Sequence, residues 1–116
     1  MLAPLESEVM EELWESGERT VREVLDALNA RRSPQRAYTT VLTVMQRLHD
    51  KGLLRRESRG RLHVYMAALS RDEYAETQVG ALVDEYGDVA LAHFARAVSR
   101  LDPKRREQIR RLAGDD

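Results

Sequence analysis

The chain has no cysteine in its 116 residues. That excludes disulfide scaffolds, thiolate zinc sites, iron–sulfur clusters and cysteine nucleophiles together, and it fits a reducing cytosol. Long hydrophobic runs are missing too: no stretch approaches the roughly 18 apolar residues that a membrane helix needs. The N-terminus opens acidic, unlike a secretory leader. The chain therefore reads as cytoplasmic, with no membrane insertion. Catalytic signatures are also lacking. His49, His63 and His93 lie far apart, no glycine-rich phosphate loop or serine-nucleophile motif occurs, and Asp84 and Asp88 read as a solvated helix face. The expectation is no enzyme, no cofactor and no metal. Net charge is nearly absent as well, since 19 basic residues against 20 acidic ones leave −1 at pH 7. Taken whole, that number gives no hint of nucleic acid.

Resolved along the chain, the neutrality disappears. Residues 1–30 carry −6, residues 31–65 carry +7 and residues 66–116 carry −2. A basic block between acidic flanks is the footprint that phosphate binding requires. The alternative is a solvated face of random sign, and the contents of the block decide between the two.

Apolar spacing supplies those contents. Leu5, Val9 and Leu13, with Met10 and Trp14, mark an amphipathic helix between Pro4 and Gly17. Thr20-Val21-Arg22-Glu23 has the form of a capping box. Behind it Val21, Val24, Leu25 and Leu28 predict a second helix to about Arg31, stopped by Ser33-Pro34-Gln35. A third helix starts near Tyr38, carries Val41, Val44, Met45 and Leu48 on one face, and ends at Gly52, which suits a left-handed cap. Then the period changes. Leu53 to Ser58 is a short run, and Leu62, Val64 and Met66 alternate with His63, Tyr65 and Ala67. Ser58-Arg59-Gly60-Arg61 between them makes a tight turn, so the pair predicts a β-hairpin tipped with arginine. A second capping box, Ser70-Arg71-Asp72-Glu73, opens a fourth helix, Gly87-Asp88 breaks it, and Asp102-Pro103 separates a fifth from a sixth.

Three helices followed by a hairpin is the order of a winged helix-turn-helix. Such folds lay the motif's second helix in the major groove of DNA, here the helix from Tyr38 to Lys51. Both this helix and the hairpin fall within the +7 block. Opposite its apolar stripe the third helix presents Thr39, Thr43, Gln46 and Asp50, with Thr40 and Arg47 on the flank. Threonine is a mediocre helix former, so three in the first turn and a half point to a groove, where hydroxyl and methyl can meet base edges. Several alternatives stay open. Thr39 is either a contact or only the helix cap. Arg47 either meets DNA or pairs with Asp26 or Asp50. Tyr38 either packs inward or bonds a phosphate. Arg59 and Arg61 on the hairpin suit phosphate or minor-groove contacts, which position without specifying sequence, or belong to a solvated loop.

The residues Leu5-Glu6-Ser7-Glu8-Val9-Met10-Glu11-Glu12-Leu13-Trp14, Thr20-Val21-Arg22-Glu23-Val24, Ala37-Tyr38-Thr39-Thr40-Val41-Leu42-Thr43-Val44-Met45-Gln46-Arg47-Leu48 and Lys51-Gly52-Leu53-Leu54 resemble the BlaI/MecI family of bacterial repressors. The resemblance spans essentially the whole chain in length and element order. Its specific part is the first 69 residues, above all Tyr-Thr-Thr-Val-x-Thr followed by Arg47-Leu48. It implies a mostly α fold with a small β-hairpin: a winged-helix DNA-binding domain at 1–69 and a helical dimerisation region at 70–116. It further implies transcriptional repression by a homodimer bound to a double-stranded dyad operator. Family contact positions fall on Thr39, Thr40 and Thr43, supported by Arg47 and the wing arginines. In members that control β-lactamase genes, a membrane sensor protease cuts an Asn-Phe bond. The matching place here reads Leu91-Ala92-His93-Phe94, keeping the Phe but not the Asn, and the spacing of Phe94 with Leu91 and Val98 equally suits packing. The cysteine metal site of the copper-responsive CopY-type members cannot form here.

Beyond residue 70, apolar stripes hold Tyr74, Leu82, Val83, Tyr86, Leu91, Phe94, Val98, Leu101, Ile109 and Leu112. Three short helices offer too little volume for a core of their own, so these residues predict a homodimer face. The alternative is that they fold back in a monomer. Lys104 to Arg111 reads as a solvated face or an added phosphate contact. Two rival functions remain: a small-molecule-responsive winged helix, and a winged-helix protein-interaction module without DNA.

Overall fold

The computed structural model describes residues 1–31 and 35–114. Helix α1 (Pro4–Ser16) leads into a short strand β1 (Glu18–Thr20), then α2 (Val21–Asn29) and α3 (Tyr38–Asp50). Strands β2 (Leu54–Arg59) and β3 (Leu62–Ala67) follow, then α4 (Arg71–Tyr86), α5 (Asp88–Ser99) and α6 (Pro103–Leu112). The chain divides into two compact units, Met1–Ala75 and Glu76–Asp116, with the division inside α4.

The first unit is a winged helix. Its core is the set of apolar stripes read from spacing: Val9, Met10 and Leu13 of α1, Val21, Val24, Leu25 and Leu28 of α2, and Val41, Val44, Met45 and Leu48 of α3 are all buried. Fully burying one such side chain contributes about 1.5–3 kcal/mol. The capping box at α2 is reciprocal. The Glu23 backbone N–H donates to the Thr20 hydroxyl at 3.2 Å, and the Thr20 N–H donates to the Glu23 carboxylate at 2.9 Å. Asn29 ties the entry to α3, since Arg36 N–H donates to its Oδ1 at 2.8 Å and its Nδ2 donates back to the Arg36 carbonyl at 3.0 Å. The helix stop assigned to Ser33-Pro34 lies outside the described residues. At the far end of α3 the Leu53 N–H reaches back to the Leu48 carbonyl at 2.9 Å, with Gly52 at φ +81°. That is a Schellman cap, and only glycine takes its positive φ without strain.

The hairpin forms as its pattern predicts. Arg59 pairs with Leu62 across the two-residue loop Gly60-Arg61. Gly60 has φ +65° and Arg61 has no positive φ, the arrangement of a type II′ turn. The structure adds a strand that spacing did not predict. Three residues, Glu18 to Thr20, pair antiparallel with β3, giving the order β1-β3-β2. A run of three charged or polar residues has no readable period, and only the edge of β3 makes it a strand. The core face of β3 is carried by Tyr65, 1% exposed, while Leu62 at the tip is 61% exposed.

The start of α4 is bound to α1. Trp14 Nε1 donates to the Leu69 carbonyl at 2.9 Å, the Tyr74 ring stands 5.8 Å from the Trp14 ring, and Arg71 pairs with Glu11 at 3.0 Å. The predicted box at Ser70 is formed, with Glu73 N–H on its hydroxyl at 3.0 Å. In the second unit Asp102 caps α6 through the Arg105 N–H at 3.0 Å. Arg106 donates to the carbonyls of Ser99 and Leu101, closing the end of α5. No described residue of α4, α5 or α6 is buried.

Two carboxylates of α1 are buried, and each holds a cation from another helix end. Glu12 takes Arg31 and lies 3.8 Å from Arg19. Glu6 accepts from Lys51 Nζ at 2.9 Å and from the Ala3 backbone N–H at 2.9 Å. The Lys51 ammonium, then the Ala3 N–H, hold the Glu6 carboxyl below its ordinary range. A carboxylate lowered in the fold contributes stability that is complete above its unfolded pKa and is lost as pH falls through the folded one. Glu6→Gln should therefore cost about 1–3 kcal/mol at neutral pH and flatten the acid limb of the stability curve. Thermal melts across the acid range check this; parallel curves for both proteins would exclude the role given to Glu6.

Candidate nucleic-acid interface

Burying one face of α3 fixes what the other face shows. With Val41, Val44, Met45 and Leu48 inward, Thr39, Thr40, Thr43, Gln46 and Arg47 are all exposed. Thr39, Thr40, Thr43 and Arg47 line one shallow depression together with the edge of Val44. The cap of α3 is Ala37, and Thr39 is the second residue inside the helix, so the capping role considered for Thr39 is ruled out. The Thr43 hydroxyl donates to the Thr39 carbonyl one turn back at 2.9 Å, which satisfies its proton and leaves the oxygen lone pairs and methyl facing outward. Arg47 forms an ion pair with neither Asp26 nor Asp50 among the described residues; it lines the threonine depression, and after Lys51 its charge also helps to hold the Glu6 carboxyl below its ordinary range.

The other flank of α3 faces the wing across a cleft of about 440 Å³. Tyr38, Leu42 and Gln46 form its helix side, and Arg56, Arg61, Leu62 and His63 its wing side. Thr20, Val21 and Arg22 at the start of α2 line it as well. The lining holds three arginines and no carboxylate. Arg22 stacks over the Tyr38 ring at 5.1 Å, a cation–π contact that holds both side chains at the mouth. Tyr38 is 39% exposed, so it is not a core residue. Arg22, Arg56 and Arg61 have no ion pair among the described residues. Charges of one sign without counter-ions, in a cleft beside a groove-sized helix, suit a sugar–phosphate strand.

Sequence reasoning did not single out Arg22, Arg56 or His63. Arg56 and His63 sit within the +7 block, and pairing the two hairpin strands outward from their turn would have placed both opposite α3. Arg22 sits in the acidic first third, and no charge-block reading points to it.

Arg59 behaves differently from Arg61, the other arginine at the tip. Its two terminal nitrogens donate to both oxygens of Glu18 at 2.8 and 3.0 Å, and one of them also to Glu57 at 3.0 Å. Glu18 is held below the ordinary carboxylate range by those hydrogen bonds. Of the two arginines assigned to the tip, only Arg61 lines the cleft.

Among residues assigned to a dimer face, Leu82, Tyr86, Leu91, Phe94 and Leu112 are exposed, while Val83, Val98, Leu101 and Ile109 are half-buried within Glu76–Asp116. Val79 and Val89 join the exposed set. Tyr74 belongs to the first unit and lies against Trp14. His93 and Phe94 sit at the middle of α5. Among the described residues no group of three or more metal-ligating side chains gathers, and no helix is long and apolar enough to cross a membrane.

Comparison with known proteins agrees with this geometry. A family model described as Penicillinase repressor matches residues 2–114. The Transcriptional regulator BlaI of Mycobacterium tuberculosis (strain H37Rv) is 41% identical over 106 residues, which cover 84% of this chain and 73% of that protein. The solution structure of the DNA binding domain of the repressor BlaI superimposes with a TM-score of 0.55 at 27% identity, covering 64% of this chain and 88% of that one. The monomeric form of BlaI from Bacillus licheniformis, solved in complex with the blaP half-operator, gives a TM-score of 0.53 at 27% identity with the same coverages, 64% and 88%.

Proposed function

Because the chain belongs to the penicillinase repressor family, we propose that it is a DNA-binding transcriptional repressor acting as a homodimer on a dyad operator in the cytoplasm. Its relatives are transcriptional regulators, not enzymes. The observation that carries the reading is the outward side of α3: an exposed threonine face next to a cleft with three arginines and no carboxylate. In the major groove Thr39, Thr40 and Thr43 meet base edges, where hydroxyls and methyls discriminate between base pairs. Arg47 flanks them. Tyr38, Gln46, Arg22, Arg56 and Arg61 seat one backbone strand in the cleft, fixing the register of α3 without reading sequence themselves. The solved complex of a BlaI with a half-operator supports duplex DNA as the partner.

Residues 1–69 are assigned to DNA binding and 70–116 to dimerisation. The exposed apolar residues of α4, α5 and α6 support a second copy as their cover, because small helical units rarely leave so much apolar surface in water. A two-fold pair would present its recognition helices to half-sites about one helical turn apart. A membrane sensor protease acting at His93-Phe94 would have to unfold a turn of α5 first, since that bond lies inside the helix.

Binding to the operator should weaken steeply with salt, measured by anisotropy on duplexes from a random pool enriched with this protein. Absence of binding to any duplex would rule DNA out as the partner, and a salt-independent affinity would remove the phosphate contacts assigned to the cleft. Thr40→Ala or Thr43→Ala should cost about 1–3 kcal/mol of sequence preference per lost base contact, whereas Arg61→Ala should weaken all duplexes alike and make the salt slope shallower by about one. Leu82→Asp should shift sedimentation toward the monomer and weaken dyad binding while leaving half-site binding intact; an unchanged sedimentation coefficient would remove Leu82 from the interface.

A further inference from the structure

The outer face of the wing carries an ion cluster that the DNA reading leaves unused. Through β3, Glu18 is level with Met66, Glu57 with Val64 and Arg59 with Leu62. Alternation along a strand therefore puts all three side chains on the sheet face opposite Tyr65. Strands β1 and β2 do not pair with each other, because β3 lies between them. The Arg59 guanidinium spans that middle strand to both oxygens of Glu18 and takes a third contact from Glu57. Val64, on this outer face, is nevertheless only 8% exposed. Two carboxylates and one guanidinium give the ion-paired cluster a net charge of −1; Arg55, level with Met66, shares this outer face without an ion pair among the described residues, whereas Arg56 and Arg61 line the cleft.

Phosphate contacts raise affinity for every sequence alike, so each cation kept away from the backbone lowers overall affinity and its salt dependence while leaving sequence preference to the base contacts. For Arg59 to reach a phosphate it would have to leave two carboxylates uncompensated beside the incoming anion. We propose that Glu18, helped by Glu57, is an affinity-limiting positioning residue that withholds Arg59 from DNA and commits it to the wing's own sheet. The wing then meets the backbone without Arg59, and every duplex is denied one sequence-independent contact. This rests on the DNA-binding reading above.

The test compares a random-sequence duplex with an operator enriched from a random pool, at about 50 and about 200 mM salt, on the full chain. In Glu18→Gln, Arg59 becomes available to phosphate. One added contact steepens the log–log salt slope by about 0.9, so the affinity ratio between those two salts grows about 3.5-fold. Random duplex and operator both bind more tightly at the lower salt, and the ratio between them is unchanged. Arg59→Ala alone leaves the slope as it was, and added to Glu18→Gln it cancels the gain. Glu57→Gln moves the slope the same way by a smaller amount. A merely structural role for Glu18 would not tighten binding. The proposal is overturned if Arg59→Ala alone makes the slope shallower by about 0.9, because Arg59 then already touches phosphate. It is also overturned if both Gln variants, folded by circular dichroism, keep the natural slope and the natural affinity for random duplex. Absence of any duplex binding by the natural chain would instead refute the DNA reading, and the proposal with it.

Discussion

A helix has one face to bury, and the fold turns on which face α3 gives up. Val41, Met45 and Leu48 are completely enclosed by α1 and α2. Rotating α3 by even one residue would put a threonine hydroxyl into that dry seam, and an unpartnered hydroxyl there is costly. The apolar seam therefore orients Thr39, Thr40, Thr43 and Arg47 outward without any of them contributing to the packing. Both helix ends are fixed as well, by the Asn29–Arg36 pairing before the helix and the Leu53–Leu48 cap after it. A recognition surface on a helix held this way is pre-organised, and a partner meets it with little ordering left to do.

The charge pattern acquires a second meaning in three dimensions. The acidic first third is not simply the opposite of the basic block; part of it is that block's internal counter-charge. Glu6 holds Lys51, Glu12 holds Arg31 and Glu18 holds Arg59. Each pairing takes a cation out of the +7 segment and uses it to tie elements together. Of the cations left unpaired among the described residues, Arg47, Arg56 and Arg61 gather around α3 and the cleft. Arg22 joins them from the acidic segment. Removing either partner of the Glu6 or Glu12 pairs would leave a charge with no local balance, which is why buried pairs are costly to break even where they add little net stability.

Much of this was legible beforehand, and the reason differs from element to element. All six helices, the hairpin and both boxes at Thr20 and Ser70 follow from local rules: period, caps and turn chemistry. The threonine face follows too, because burying one stripe of a helix dictates the opposite one. Strand β1 was not legible, since Glu18-Arg19-Thr20 becomes a strand only through the free edge of β3. Nor was the cleft, whose lining comes from three separate parts of the chain. For Thr39 the sequence left cap and contact open, and the cap at Ala37 removed the first.

By itself the sequence determined the winged-helix order, the family likeness, the inward face of each helix of the first unit and the location of the basic block. These depend on neighbours within a turn or two, and such neighbours are fixed by covalent spacing. Only the tertiary structure decided which cations of the block are spent and which are free. Arg59 and Arg61 are two residues apart and alike in sequence, yet one is clamped across a strand by Glu18 and the other lines an open cationic cleft. That difference is set by a carboxylate 41 residues away in the chain, and charge pairing over such a separation exists only once the strands have come together.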